Sequence, residues 1–166
     1  AKAVSDNNPA EGPVYFAYET TVVNRQQMVG RDNPQSNKLM REAVLPTWHT
    51  LDLTDPKMNE LFRLGLAQAL GIKVHTQSRE KSMEELATKL AGFTETLKIL
   101  NDESKLRFNE QAIDTMKAEG IDSPVALHAV MEWNRSQNAQ DPKAFRTSTY
   151  FEADGVTNGV VNAMAL

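Results

Sequence analysis

From Asp55 to Gln137 apolar residues return every three or four positions, in stretches that open at capping or proline residues and close at glycine. That rhythm commits the middle of the chain to packed amphipathic helices. Asp55-Pro56 starts the first, Gly71 stops it, and Met58, Leu61, Phe62, Gly65, Leu66 and Ala69 form its apolar stripe. Ser82-Met83-Glu84-Glu85 has the form of a capping box, and Met83, Leu86, Leu90, Phe93, Leu97 and Leu100 continue from it as one seam. A third helix is expected from about Glu103 to Glu119, ending at Gly120, and a fourth from Ser123-Pro124 to about Gln137. Stripes of this kind are core, not cofactor pocket.

On either side of the helical middle the pattern changes. Residues 1–13 are polar and turn-rich, a loose lead-in. Val14 to Val23 is aromatic and β-branched and reads as a strand, with Gln26 to Gly30 as its partner or continuation. Arg31 to Gln35 is a turn, and Ser36 can cap a short helix that Pro46 stops by about Leu45. From Phe145 the period becomes two, with Phe145, Thr147, Thr149, Phe151 and Ala153 on one face and Arg146, Ser148, Tyr150, Glu152 and Asp154 on the other. The expected class is α+β, helix-dominated, with a small antiparallel sheet from strands near 14–23, 26–30 and 145–154.

The chain has 166 residues, enough for one domain with its own core, and its 40% apolar and 24% charged content argues against disorder. No apolar run approaches the roughly 18–20 residues of a membrane helix. With no cysteine, disulfide frameworks and thiolate metal sites are excluded. The opening Ala-Lys-Ala-Val and the apolar close at Asn162 to Leu166 suggest a piece of a longer polypeptide. A net charge of −4 argues against nucleic-acid binding driven by bulk charge. Between Thr21 and Arg41, however, Arg25, Arg31, Lys38 and Arg41 face a single Asp32. This run is either a solvated loop or a phosphate-contacting patch at a strand end, a turn and a helix start.

The second candidate constellation is the run Asp154-Gly155-Val156-Thr157-Asn158-Gly159 at the end of the last strand. It could be a simple turn, since Asp-Gly and Asn-Gly favour hairpins. A calcium loop fails, because Val156 and Ala165 stand where oxygen ligands are required. The third reading is a metal-binding carboxylate on rigid backbone, with Glu152 on the same face and glycines admitting substrate. His49, His75 and His128 do not cluster, and His128 four before Glu132 reads as a surface pair. No nucleophile elbow, Walker loop or dinucleotide fingerprint is present.

Together the two constellations resemble the catalytic core of single-subunit, phage-type RNA polymerases, most of all those of the N4 virion type. The family's motif A, Glu-Ala-Asp-Gly-Val-Thr-Asn-Gly, stands complete at residues 152–159, and its Thr-x-x-Gly-Arg motif corresponds to Thr21 through Arg25. Agreement continues at Gln27-Met28, Asn33 to Ser36, Lys38 to Ala43, and residues 45–47, 51–53, 64–70 and 72–76. It covers essentially everything after residue 13 and is weakest between about 93 and 122. One departure is Asn24, in the place of the family's glycine before Arg25.

The resemblance implies a partial polymerase core over residues 14–166, with a palm sheet and a helical insertion at about 55–138. Asp154 would be one of two aspartates holding Mg2+, with Gly155 adding its backbone carbonyl. Glu152, Lys38 and Arg41 would lie at the nucleotide site, and Arg25 and Thr21 at the template. Partners would be template DNA, NTPs, nascent RNA and the remaining polymerase polypeptide; the setting would be the virion and then the host bacterial cytoplasm. The family's Tyr-Gly helix and His-Asp turn are missing from these 166 residues, so the chain alone is expected to be inactive. The competing reading is a non-catalytic helical interaction or structural module of a virion protein, its acidic turn only a turn.

Overall fold

The computed structural model describes residues 16–30, 33–37, 40, 49–102 and 110–150. Four short strands and five α-helices occur among them: β1 (Tyr18–Thr20), β2 (Gln26–Met28), β3 (His49–Leu51), α1 (Pro56–Ala69), α2 (Arg79–Ala91), α3 (Thr94–Leu100), α4 (Glu110–Ala118), α5 (Pro124–Gln137) and β4 (Phe145–Thr147). A 3-10 turn at Pro142–Ala144 leads into β4. The architecture is α+β and helix-dominated, as the sequence pattern requires.

The strands form two separate antiparallel pairs instead of one sheet. β1 pairs with β2, Tyr18 opposite Met28, and β3 pairs with β4, His49 opposite Thr147. β3 has no counterpart in the sequence reading, because three residues just before a turn carry too little periodicity to identify a strand. Its pairing matters for topology: it lies just before the helical region and β4 just after it, so the chain leaves and returns at one place.

α1 begins as expected. The Asp55 carboxylate accepts from the amides of Lys57 (2.8 Å) and Met58 (3.0 Å), and Pro56 occupies the first turn, where no amide is needed. Gly71 (φ 81°) and Gly120 (φ 87°) end α1 and α4 in the left-handed region. In both cases the next residue, Ile72 or Ile121, donates its amide back five residues, to Ala67 or Met116, at 2.9 Å, and buries its side chain.

The α1 stripe differs from expectation at its start. Met58 and Leu61 are exposed, whereas Phe62, Leu64, Gly65, Leu66 and Ala67 are buried. The helix is covered on two sides, by α2 and α5, which rotates its buried arc toward Leu64 and away from Met58.

The expected capping box is corrected too. Ser78, not Ser82, caps α2, accepting from the Lys81 amide at 3.2 Å; Ser82 lies fully buried inside the helix and donates to the Ser78 carbonyl at 2.9 Å. The seam from Met83 to Leu100 is core throughout, but it belongs to two helices. At Gly92 and Phe93 the backbone tightens to three-residue bonds, to Lys89 and Leu90, and α3 starts anew. No local side chain caps α3. Glu119, beyond the end of α4, does so from a distance, accepting from the amides of Glu95 (2.8 Å) and Thr96 (2.9 Å) and from the Thr94 hydroxyl (3.3 Å). Burial would push this carboxyl up, but those donors outweigh it and hold it below the ordinary glutamate value.

The third expected helix is described over Glu110–Ala118 only; residues 103–109, and most of the expected short helix from Ser36 to Leu45, lie outside the described residues. The core joins α1, α2, α4 and α5 through Leu66, Leu86, Met116 and Val130, with Phe93 at the helix break. Phe145 of β4 joins it edge-on to Phe62, ring centroids 5.6 Å apart.

Candidate active site

Of the residues expected to act, Thr21 and Arg25 are described; Lys38, Arg41, Glu152, Asp154 and Gly155 lie outside the described residues. Thr21 and Arg25 close the β1–β2 hairpin. The Thr21 amide donates to the Arg25 carbonyl at 2.8 Å, the Asn24 amide to the Thr21 carbonyl at 2.9 Å, and the Arg25 amide to Thr21 Oγ1 at 3.2 Å. The loop is therefore Val22-Val23-Asn24, a β-turn followed by one residue in the left-handed region, where Asn24 has φ 57°. This geometry accounts for the position's glycine in the related motif. Asparagine is among the few other residues that adopt such angles readily, so the turn survives the substitution.

Threonine and arginine are thus held by the loop's own hydrogen bonds, with the Arg25 side chain left exposed. Val22 and Val23 at the tip are exposed as well. The Asn-Pro-Gln-Ser run that follows is structural. Asn33 is buried and donates through Nδ2 to the Gly30 carbonyl at 2.5 Å, while its Oδ1 accepts from the Gln35 amide at 2.9 Å. Gln35 Oε1 accepts from the Met28 amide at 2.8 Å, fastening the turn to β2.

β4 and the residues just after it are held differently, by side chains and backbone of α1 and α5. Period-two burial holds over Phe145, Arg146 and Thr147 and then ends, because Ser148 is buried as well. Thr147 donates to Glu132 Oε2 at 2.5 Å and accepts from the Thr149 amide at 3.0 Å through the same hydroxyl. The other Glu132 oxygen pairs with Arg135, whose Nη2 donates to the Arg146 carbonyl at 3.0 Å and whose guanidinium lies 5.5 Å from the Phe145 ring centroid. His128 Nε2 and Ser148 Oγ are 3.1 Å apart. Gly65 of α1 faces Tyr150 so closely that a Cβ there would stand 2.9 Å from its carbonyl oxygen.

These contacts correct the reading of His128 and Glu132 as a surface pair: each reaches a different residue of the strand segment, and Glu132 is 3% exposed. A signal for Glu132 was available, since it falls three residues after buried Ala129, on the core side of α5. Nothing in sequence could name Thr147 as its partner. Among the described residues no three His, Cys, Asp or Glu side chains gather as a metal site, and no helix is long and apolar enough to cross a membrane. The expected donors, the Asp154 carboxylate and the Gly155 backbone carbonyl, are hard oxygens of the kind that suits Mg2+.

Comparison with known proteins gives the context. A family model described as virion DNA-directed RNA polymerase, plug insertion, matches residues 60–137, and one described as virion DNA-directed RNA polymerase domain matches residues 1–44. The virion DNA-directed RNA polymerase of Enterobacteria phage N4 is 48% identical over 93% of this chain. The chain spans about 5% of that relative's length. With that identity over nearly the whole chain, and family models matching residues 1–44 and 60–137, this chain belongs to the N4-type virion RNA polymerase family.

Proposed function

We propose that this chain is part of the catalytic core of a phage DNA-directed RNA polymerase, working in template-directed nucleotidyl transfer from NTPs. The observation that carries the reading is the 48% identity to a virion DNA-directed RNA polymerase across nearly the whole chain. The intact run at 152–159 and the Thr21–Arg25 turn support it.

In this reading the Asp154 carboxylate and the Gly155 carbonyl hold Mg2+, and Glu152 lies beside the nucleotide. Bound Mg2+ supplies activation of the RNA 3′-hydroxyl and stabilisation of the leaving pyrophosphate. Lys38 and Arg41 bind the triphosphate by charge. Arg25, exposed on a hairpin that fixes its backbone, contacts the template together with Thr21. The region at about 55–138 is a helical insertion in the core; the pairing of β3 with β4 at its two ends and the plug-insertion match support this. Partners are template DNA, NTPs, nascent RNA and the remaining polymerase polypeptide, first in the virion and then in the host cytoplasm.

One carboxylate does not build a two-metal site, so the 166-residue chain by itself makes no RNA. RNA synthesis by the purified chain would refute that statement. In a polymerase polypeptide carrying this segment, Asp154→Asn abolishes nucleotide addition while folding is retained. If the run is merely a turn in a helical module, the same substitution leaves addition unchanged.

A further inference from the structure

We infer that the helical region seats β4 and the residues after it, Ser148 to Tyr150, which precede Asp154 in the sequence, and that Glu132 is a positioning residue acting on them through Thr147. The inference rests on the reading of Asp154 as the metal-holding carboxylate. Within four residues the strand segment is held at three points: Thr147 by Glu132, Ser148 by His128, and Tyr150 by the glycine surface of α1. Thr147 is completely buried, and its one hydroxyl joins Glu132 to the Thr149 amide, coupling helix to strand backbone. Arg135 bridges from the same carboxylate to the Arg146 carbonyl.

Stability alone is a poor explanation for this arrangement. Burying a carboxylate costs desolvation that its ion pair only partly returns, and an apolar pair of similar volume would fold as well or better. A directional bond between Glu132 and Thr147 does something an apolar contact cannot: it fixes the strand's position along and across the helix. Thr147 stands seven residues before Asp154 in the sequence, and catalytic geometry is sensitive to displacements of about 1 Å.

Variants at the junction, read in two ways, test this. In the metal-free 166-residue chain, Thr147→Val raises amide exchange at Thr149 about tenfold or more, whereas Thr147→Ser stays within about twofold of the parent. In the polymerase polypeptide carrying this segment, Thr147→Val lowers kcat roughly 10- to 100-fold with little change in KM for the nucleotide, and Thr147→Ser preserves both. The double variant Thr147→Val/Glu132→Leu removes the buried carboxylate oxygen that has lost its donor and restores the melting temperature, but kcat stays low. A kcat that recovers together with stability would make the junction merely structural and overturn the inference. So would a Thr147→Val variant with parental kcat, provided that Asp154→Asn is inactive; if Asp154→Asn is active, it is the reading of the site that falls. Should Thr147→Val fail to fold, the double variant decides by the same comparison.

Discussion

The break between α2 and α3 depends on one distant carboxylate, and removing it should cost a calculable amount. Glu119 accepts from two amides, those of Glu95 and Thr96. In Glu119→Ala the Glu95 amide, on an exposed residue, turns to water; Thr96 is fully buried, and its amide is left without a partner. A stranded buried donor costs about 1–3 kcal/mol, and loss of a helix cap falls in the same range, so about 2 kcal/mol is expected. For a chain of this size that lowers the melting temperature by about 4–8 °C. Glu119→Gln keeps an acceptor and should lose about half as much.

The pH dependence follows from the depressed carboxyl. Its folded value lies below the unfolded one, so its contribution is complete above the unfolded value of about 4.3 and is lost as pH falls through the folded value. Thermal melts followed by circular dichroism at pH 7 and through the acid range test both parts. The difference between parent and Glu119→Ala should be full at pH 7 and shrink in acid. A Glu119→Ala melt equal to the parent's at pH 7, or a difference that grows in acid, would refute the account.

Two further perturbations probe the motif regions. Gly65→Ala gains about 1 kcal/mol of helix propensity but drives a methyl against the Tyr150 carbonyl, an overpacking cost of about 1–3 kcal/mol. Net destabilisation with altered amide exchange at Tyr150 is expected; a more stable variant with unchanged exchange would show that the approach is not tight. At the hairpin, Asn24→Gly should be neutral or mildly stabilising, whereas Asn24→Ala should cost about 1 kcal/mol because of its left-handed backbone. Nuclear magnetic resonance of the Tyr18 to Met28 cross-strand contacts reports both, and equal populations in the two variants would contradict the assigned turn.

The features legible in the sequence are those that local chemistry determines. Asp55-Pro56 and Ser123-Pro124 start helices where predicted, because a cap and a proline act within one turn. Gly71 and Gly120 stop them, because only the following turn is involved. The seam from Met83 to Leu100 is core, as its spacing implies, yet its division into two helices was hidden. The break is stabilised by Glu119, many residues away, and no period encodes that. Ser82 misled for a related reason: a serine before an acidic pair looks the same whether it caps a helix or bonds to the turn behind it. At the candidate site the Thr21–Arg25 turn was hidden, because Val22 and Val23 are β-branched and read as the end of a strand, whereas β1 stops at Thr20 and both valines lie in the loop. Its left-handed position was legible only as a glycine replaced by asparagine, a residue that accepts the same angles.

The two motif regions are built on opposite principles, which bears on how the helical region can change. The Thr21–Arg25 turn is self-contained: its bonds close within five residues, and a neighbouring side chain, Gln35, fastens β2 from the same segment. The strand toward Asp154 is not. Its entry is pinned to β3, so by connectivity alone the region between β3 and β4 resembles a detachable excursion. Side-chain burial contradicts that impression. Phe145 and Thr147 are buried by what the excursion contributes: Phe62 from α1, and Glu132 and Arg135 from α5. Cutting the loop short at the strands would preserve the backbone pairing and expose the face that orients the strand. A helical region whose two ends meet can vary in its outer helices, α2 to α4, at a cost in stability. Its inner faces on α1 and α5 are constrained by the strand they cover.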